Sequence, residues 1–159
     1  MRISGIRPTS LFDGVGINYV IFTQGCGHHC PHCHNESTWD FNGGYELSTD
    51  EIIDGISKYL GFIDGVTFSG GDPVYQLEDV IKIAKWAKKN GLKTTLYTGF
   101  DLKSLLSTSL ISLECIDYIM DGKYEHSKHT TELPFRGSSN QKMYVQTKPR
   151  LFEEVVYGR

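Results

Sequence analysis

Asn18-Tyr-Val-Ile-Phe-Thr-Gln-Gly-Cys26 joins a run of β-branched and aromatic side chains to a glycine and a thiol. Residues 18–23 read as a strand, and the pattern of a strand emptying into a polar or glycine motif then recurs. Gly65-Val-Thr-Phe68 is followed by Ser69-Gly-Gly-Asp-Pro73, and Lys93-Thr-Thr-Leu-Tyr97 by Thr98-Gly99-Phe100. Ile116-Asp-Tyr-Ile-Met120 is followed by Asp121-Gly122-Lys123. Helical patterns separate these runs. Ser48 and Glu51 have the spacing of a capping box, after which Ile52, Ile53, Ile56, Tyr59 and Leu60 repeat at helical intervals, with Gly61 as the stop. Residues 76–90 place Val80, Ile81, Ala84 and Ala87 on one helical face, ended by Asn90-Gly91. Asp101 is positioned to cap a short helix carrying Leu102, Leu105 and Leu106. From 125 to 142 the pattern weakens into a polar, loop-like stretch. Strands alternating with helices predict βαβ units, an α/β fold and a mostly parallel sheet. All four unusual motifs fall at carboxyl ends of strands, the edge where parallel α/β sheets bind ligands.

The 159 residues suit one domain over 1–159, long enough to bury its own core. Hydrophobic residues are 39% and charged residues 22%, a globular composition rather than a disordered one. Sixteen Lys+Arg against nineteen Asp+Glu give net −3, which argues against nucleic acid as a partner. No run reaches the ~18 apolar residues of a membrane span, and Met1-Arg2-Ile3-Ser4-Gly5 lacks the apolar stretch of a signal peptide. The expected location is the cytoplasm.

Three of the four cysteines, Cys26, Cys30 and Cys33, fall within eight residues, while Cys115 stands apart. Disulfide frameworks spread their cysteines, so clustered thiols point to metal or redox chemistry. Cys26-x3-Cys30-x2-Cys33 brings three thiolates to one compact loop. An all-cysteine four-iron cluster takes four thiolates, as structural zinc takes four ligands. Three therefore leave one iron open, or else a histidine (His28, His29, His32 or His34) closes a Cys3His zinc site. Ser69–Pro73 alone reads as an ordinary strand-to-helix turn. At the same sheet edge as the thiols, its two glycines permit backbone to approach a small polar ligand, and Asp72 can orient a cation. Cys115 reads as a small buried core residue. Lys82, Lys85, Lys88 and Lys89 read as a solvated helix face, Trp39 and Trp86 as packing residues, and Lys123 and Arg136 as surface salt-bridge partners before ligands.

Taken together, Cys-x3-Cys-x2-Cys after the first strand and Gly-Gly-Asp after the second resemble the radical S-adenosylmethionine superfamily. Within it, the chain resembles the glycyl-radical activases of anaerobic ribonucleoside-triphosphate reductase. The resemblance runs from Asp13-Gly-Val-Gly16 through Asn35-Glu-Ser-Thr-Trp39, Ser69–Pro73, Tyr97-Thr-Gly99 and Asp121-Gly-Lys123 to Arg136-Gly-Ser-Ser-Asn-Gln141, covering about residues 12–142. Two positions depart from the pattern. His32 stands where an aromatic is usual, and His34 where these activases commonly have tyrosine. Cys33-His34-Asn35 is closer to the activases of pyruvate formate-lyase.

The resemblance implies an incomplete (β/α) barrel of the radical S-adenosylmethionine type and an oxidoreductase. It implies that Cys26, Cys30 and Cys33 hold one 4Fe–4S cluster per chain. Gly70, Gly71 and Asp72 would hold the methionine end of S-adenosyl-L-methionine, with His32, Cys33 and His34 lying against the cofactor. Reductive cleavage would yield methionine and a 5′-deoxyadenosyl radical, with no catalytic residue beyond cluster and cofactor. The implied partners are the large subunit of the reductase, as protein substrate, and an electron donor such as flavodoxin or a thioredoxin-type reductant. The surface at 13–16 and the loop 125–140 are expected to contact the protein substrate. The alternatives are activation of pyruvate formate-lyase or another glycyl-radical enzyme and, in another class, a non-catalytic zinc module.

Overall fold

A computed structural model describes residues 1–108 and 113–156. Eight strands form one sheet in the order β3-β1-β2-β4-β5-β6-β7-β8. The expected strands form its middle: β2 (Asn18–Thr23), β4 (Gly65–Gly70), β5 (Lys93–Tyr97) and β6 (Tyr118–Asp121), each parallel to the next. Antiparallel strands extend it on both sides: β1 (Arg2–Ser10) and β3 (Tyr45–Glu46) beyond β2, β7 (Lys142–Lys148) and β8 (Leu151–Glu154) beyond β6. The sequence pattern does not predict these four strands.

The connections carry α1 (Thr49–Ser57), α2 (Leu77–Lys89) and α3 (Leu102–Ser107). The parallel strands advance across the sheet in one direction. Right-handed crossovers therefore put all three helices on one face, the arrangement of an incomplete (β/α) barrel. Ile52, Ile56, Val80, Ile83, Ala84 and Ala87 pack from the helices onto Ile21, Val66, Phe68, Leu96 and Ile119 of the strands. The alternation of strand side chains sends Thr67 and Thr95 to the other face. There the 11–17 loop covers them: Thr67 Oγ1 donates to the Asp13 carbonyl at 2.6 Å, and a Cβ at Gly14 would stand 2.9 Å from that hydroxyl.

The helix boundaries show local chemistry at work. Ser48 and Glu51 make the reciprocal capping box that the spacing predicts. α1 ends at Ser57 rather than continuing to Leu60, because Tyr59 and Leu60 donate to Ile56 and Ser57, tightening the last turn. α2 is preceded by a 3-10 turn over Pro73–Gln76, capped by Asp72. Asp101 caps α3 through the Ser104 N–H at 2.8 Å. β6 begins at Tyr118, two residues later than its apolar run, because Ile116 closes a turn onto Leu113. The 125–142 stretch is loop-like as expected, yet it is pinned. Ser138 is fully buried, His129 bridges to Ser138, and Gln141 Oε1 accepts from the Gly137 and Ser138 amides. Among the described residues, no helix is long and apolar enough to cross a membrane.

Candidate metal and cofactor site

The loop after β2 is closed at its base before it offers its thiols. Gln24 is 4% exposed and donates through Nε2 to the carbonyls of Ser37 and Asp40, while Gly25 and Cys26 donate to Thr38 and Trp39. Residues 24–40 thus fold back on themselves with the cysteines at the crest. His29 and His32 lie at φ +50° and +61°, the left-handed region that histidine enters more readily than bulky or β-branched residues. That gives the unusual His32 a backbone reason. A turn from Cys33 N–H to the Cys30 carbonyl brings the second and third cysteines together, and the Asn35 N–H donates to Cys33 Sγ at 3.4 Å.

Opposite this loop stands the turn after β4. Gly70 has φ +99°, and a Cβ there would run into the Thr23 backbone. A Cβ at Gly71 would strike the Gly25 carbonyl, so the glycine turn and the cysteine loop touch backbone to backbone. The Asp72 N–H donates to that same carbonyl at 2.9 Å.

Cys26, Cys30, Cys33, His34, Gly70, Gly71 and Asp72 line one cavity of about 250 Å³ at the carboxyl edge of the parallel strands. Tyr97, Met120, Lys123, Tyr124 and Asp13 are among the other residues of its walls. All four cysteines are free, and Cys115 is buried away from the cavity, as a core residue. Burial pushes the Cys26 and Cys30 thiols up, with the nearby Lys123 opposing this at Cys30. A bound cation deprotonates such thiols outright. Tyr97 stays a neutral phenol, held high by burial and by neighbouring Asp13. Among the described residues, no three His, Cys, Asp or Glu side chains are arranged to hold a single metal ion.

His32 is not among the cavity-lining residues; its exposed ring lies 4.3 Å from that of His126. His34 lies against Tyr124 and His129. Lys88 makes an ion pair with Asp117, while the other three lysines of its helix are exposed. Trp39 stacks on His29 and also lines the cavity, and Trp86 packs against the core.

Two features escape the sequence pattern. His28, read there only as one of four candidate zinc ligands, places Nε2 2.6 Å from Asp72 Oδ2. Thr98 donates to the same carboxylate at 2.9 and 3.0 Å. The one sequence signal for this pair is an aspartate in an apolar, glycine-rich turn, which requires partners if buried.

The 4Fe–4S single cluster domain family matches residues 12–144. The chain is 33% identical over 153 residues to the anaerobic ribonucleoside-triphosphate reductase-activating protein of Enterobacteria phage T4, covering 92% of this chain and 96% of that one. The protein of the same name from Escherichia coli K12 is 30% identical over 141 residues, covering 84% and 92%. The pyruvate formate-lyase-activating enzyme of Clostridium pasteurianum is 38% identical over 133 residues, covering 78% of this chain and 56% of that longer one.

Proposed function

The chain belongs to the 4Fe–4S single cluster domain family, with anaerobic ribonucleoside-triphosphate reductase-activating proteins as relatives over nearly its whole length, and from that premise we propose that it activates such a reductase by installing a glycyl radical. The observation that carries this reading is the convergence of three free thiols and a glycine turn on one cavity at the carboxyl edge of the sheet.

The residues present fit an iron–sulfur cluster. Cys26, Cys30 and Cys33 would hold three irons, and the Asn35 N–H on Cys33 Sγ is the kind of hydrogen bond that tunes such clusters. When bound, cluster and S-adenosylmethionine would supply the one-electron chemistry that leaves a glycyl radical on the partner, with methionine and 5′-deoxyadenosine as products. The protein's own part is to bind, orient and shield. Gly70, Gly71 and His34 line the cavity, where the two glycines would let backbone approach the cofactor's amino acid end. Tyr97 and Met120 wall the cavity, and neutral Tyr97 adds no charge to it. The partner's glycine loop would seal the mouth, since water and stray hydrogen donors must be excluded. Glycine suits that loop because it carries no side chain to block approach. The electron would come from a flavodoxin or thioredoxin-type donor.

A second reading, activation of pyruvate formate-lyase, is favoured by the 38% identity to the clostridial enzyme. Anaerobic reconstitution with iron and sulfide, reduction, and addition of S-adenosylmethionine should yield 5′-deoxyadenosine. Zinc retained in place of iron, with no such product, would reject the reading. A panel of glycyl-radical enzymes as partners separates the two activase assignments.

A further inference from the structure

Asp72 has no oxygen left to offer a ligand. Oδ1 accepts from the Val74 N–H at 3.0 Å and the Thr98 hydroxyl at 3.0 Å. Oδ2 accepts from the Gly99 N–H at 2.8 Å, shares the Thr98 hydroxyl at 2.9 Å, and meets His28 Nε2 at 2.6 Å. A carboxylate has about four lone-pair sites. These donors fill them, and the residue is 1% exposed. The carboxylate therefore acts on the site through what it holds.

What it holds is three segments. Val74 belongs to its own turn, Thr98 and Gly99 to the end of β5, and His28 to the cysteine loop. Among these side-chain contacts, His28 alone reaches that loop. Its ring is fixed by an edge contact with Phe100 at 4.6 Å and by Gly99, where a Cβ would stand 2.6 Å from the ring. Its backbone meanwhile belongs to the cysteine loop, two residues after Cys26. One residue thus belongs to the cysteine loop through its main chain and meets the glycine turn's aspartate with its side chain.

We infer that His28 is a positioning residue: through Asp72 it sets the spacing between the three thiols and the Gly70-Gly71 backbone. This rests on the reading that the cavity takes a cluster and S-adenosylmethionine. Second-sphere partners of this kind typically cost about 10–100-fold when removed.

The test compares wild type with His28→Leu, which removes the donor, and His28→Gln, which keeps one. Each is reconstituted anaerobically, its iron content is measured, and the reduced protein is titrated with S-adenosylmethionine by electron paramagnetic resonance. Hydrogen exchange at residues 70–74 is followed in the metal-free chains. His28→Leu should keep its iron, shift the titration midpoint about 10-fold or more upward, and lose protection at 70–74. His28→Gln should recover part of both. A wild-type midpoint and wild-type protection in His28→Leu would overturn the inference. If His28→Leu loads no iron, exchange in the metal-free chain decides alone: unchanged protection overturns it, and lost protection restored by glutamine upholds it. A wild-type spectrum that ignores S-adenosylmethionine would instead overturn the parent reading, with the exchange comparison still judging His28.

Discussion

At Gly71 the missing side chain is a packing requirement, because a Cβ there would strike the carbonyl of Gly25, one residue before the first cysteine. Gly71→Val must therefore push the glycine turn off the cysteine loop. We expect a loss of roughly 1–3 kcal/mol, the usual cost of overpacking, in thermal unfolding of the metal-free chain, with weakened S-adenosylmethionine binding in the loaded one. Gly5→Ala is the control: a Cβ there meets nothing within 4 Å, and its stability should stay within about 0.5 kcal/mol of wild type. An unmoved Gly71→Val in both measurements would make the turn a mere connection. The thiols divide in the same way. Cys26→Ala, Cys30→Ala and Cys33→Ala should each abolish iron loading, whereas Cys115→Ala, buried in the core away from the cavity, should load fully. Iron loss in Cys115→Ala equal to that in Cys30→Ala would break the three-ligand assignment. At this scale the cysteines and glycines were legible from spacing alone. The His28–Asp72 contact was not, since its partners lie 44 residues apart and nothing local links them.

Elements were legible where their causes are local. Ser48 and Glu51 meet within one turn, so the start of α1 could be read directly, and Ser48→Ala should cost about 1 kcal/mol in thermal unfolding. No change would mean that the reciprocal bonds are idle. The parallel strands carry dense β-branched runs because both their faces are buried. β1 contains Gly5 and Pro8, and β7 has lysine at both ends. Such outer strands lack the apolar pattern that announces a strand, and only pairing with β2 and β6 reveals them. β6 also carries a titratable probe. Burial raises the pKa of Asp121, although its carboxylate accepts from the Leu102 N–H at 2.8 Å at the start of α3. A carboxyl whose folded pKa is raised binds its proton more tightly in the folded state. Its contribution to stability is present below the unfolded value of about 3.9 and is lost as pH rises through the folded one. Asp121→Asn keeps an acceptor for Leu102 without the buried charge. It should melt above wild type at pH 7, with the gap closing as pH falls towards 4. A gap that is constant with pH would contradict this linkage.

The whole molecule matches the phage relative almost end to end, with 96% of that protein covered. Among the described residues, eight strands and three helices frame the site, and the cavity opens at the sheet edge between the cysteine loop and the pinned 122–141 segment. Under the proposed function, the partner's own loop would close the site. The carboxyl-edge location of the site followed from the order of strands and motifs. The closure of the far face by the 11–17 loop did not, because it depends on two threonines from separate strands meeting a glycine distant in sequence. The most direct test of the account is to incubate the reconstituted, reduced protein with S-adenosylmethionine and a cognate anaerobic ribonucleoside-triphosphate reductase, and to record the electron paramagnetic resonance spectrum of the reductase. The account predicts a glycyl radical on the reductase that requires Cys26, Cys30 and Cys33 and appears together with 5′-deoxyadenosine. A fully loaded cluster that cleaves S-adenosylmethionine yet leaves the reductase without a radical, while turning over a small molecule instead, would contradict it.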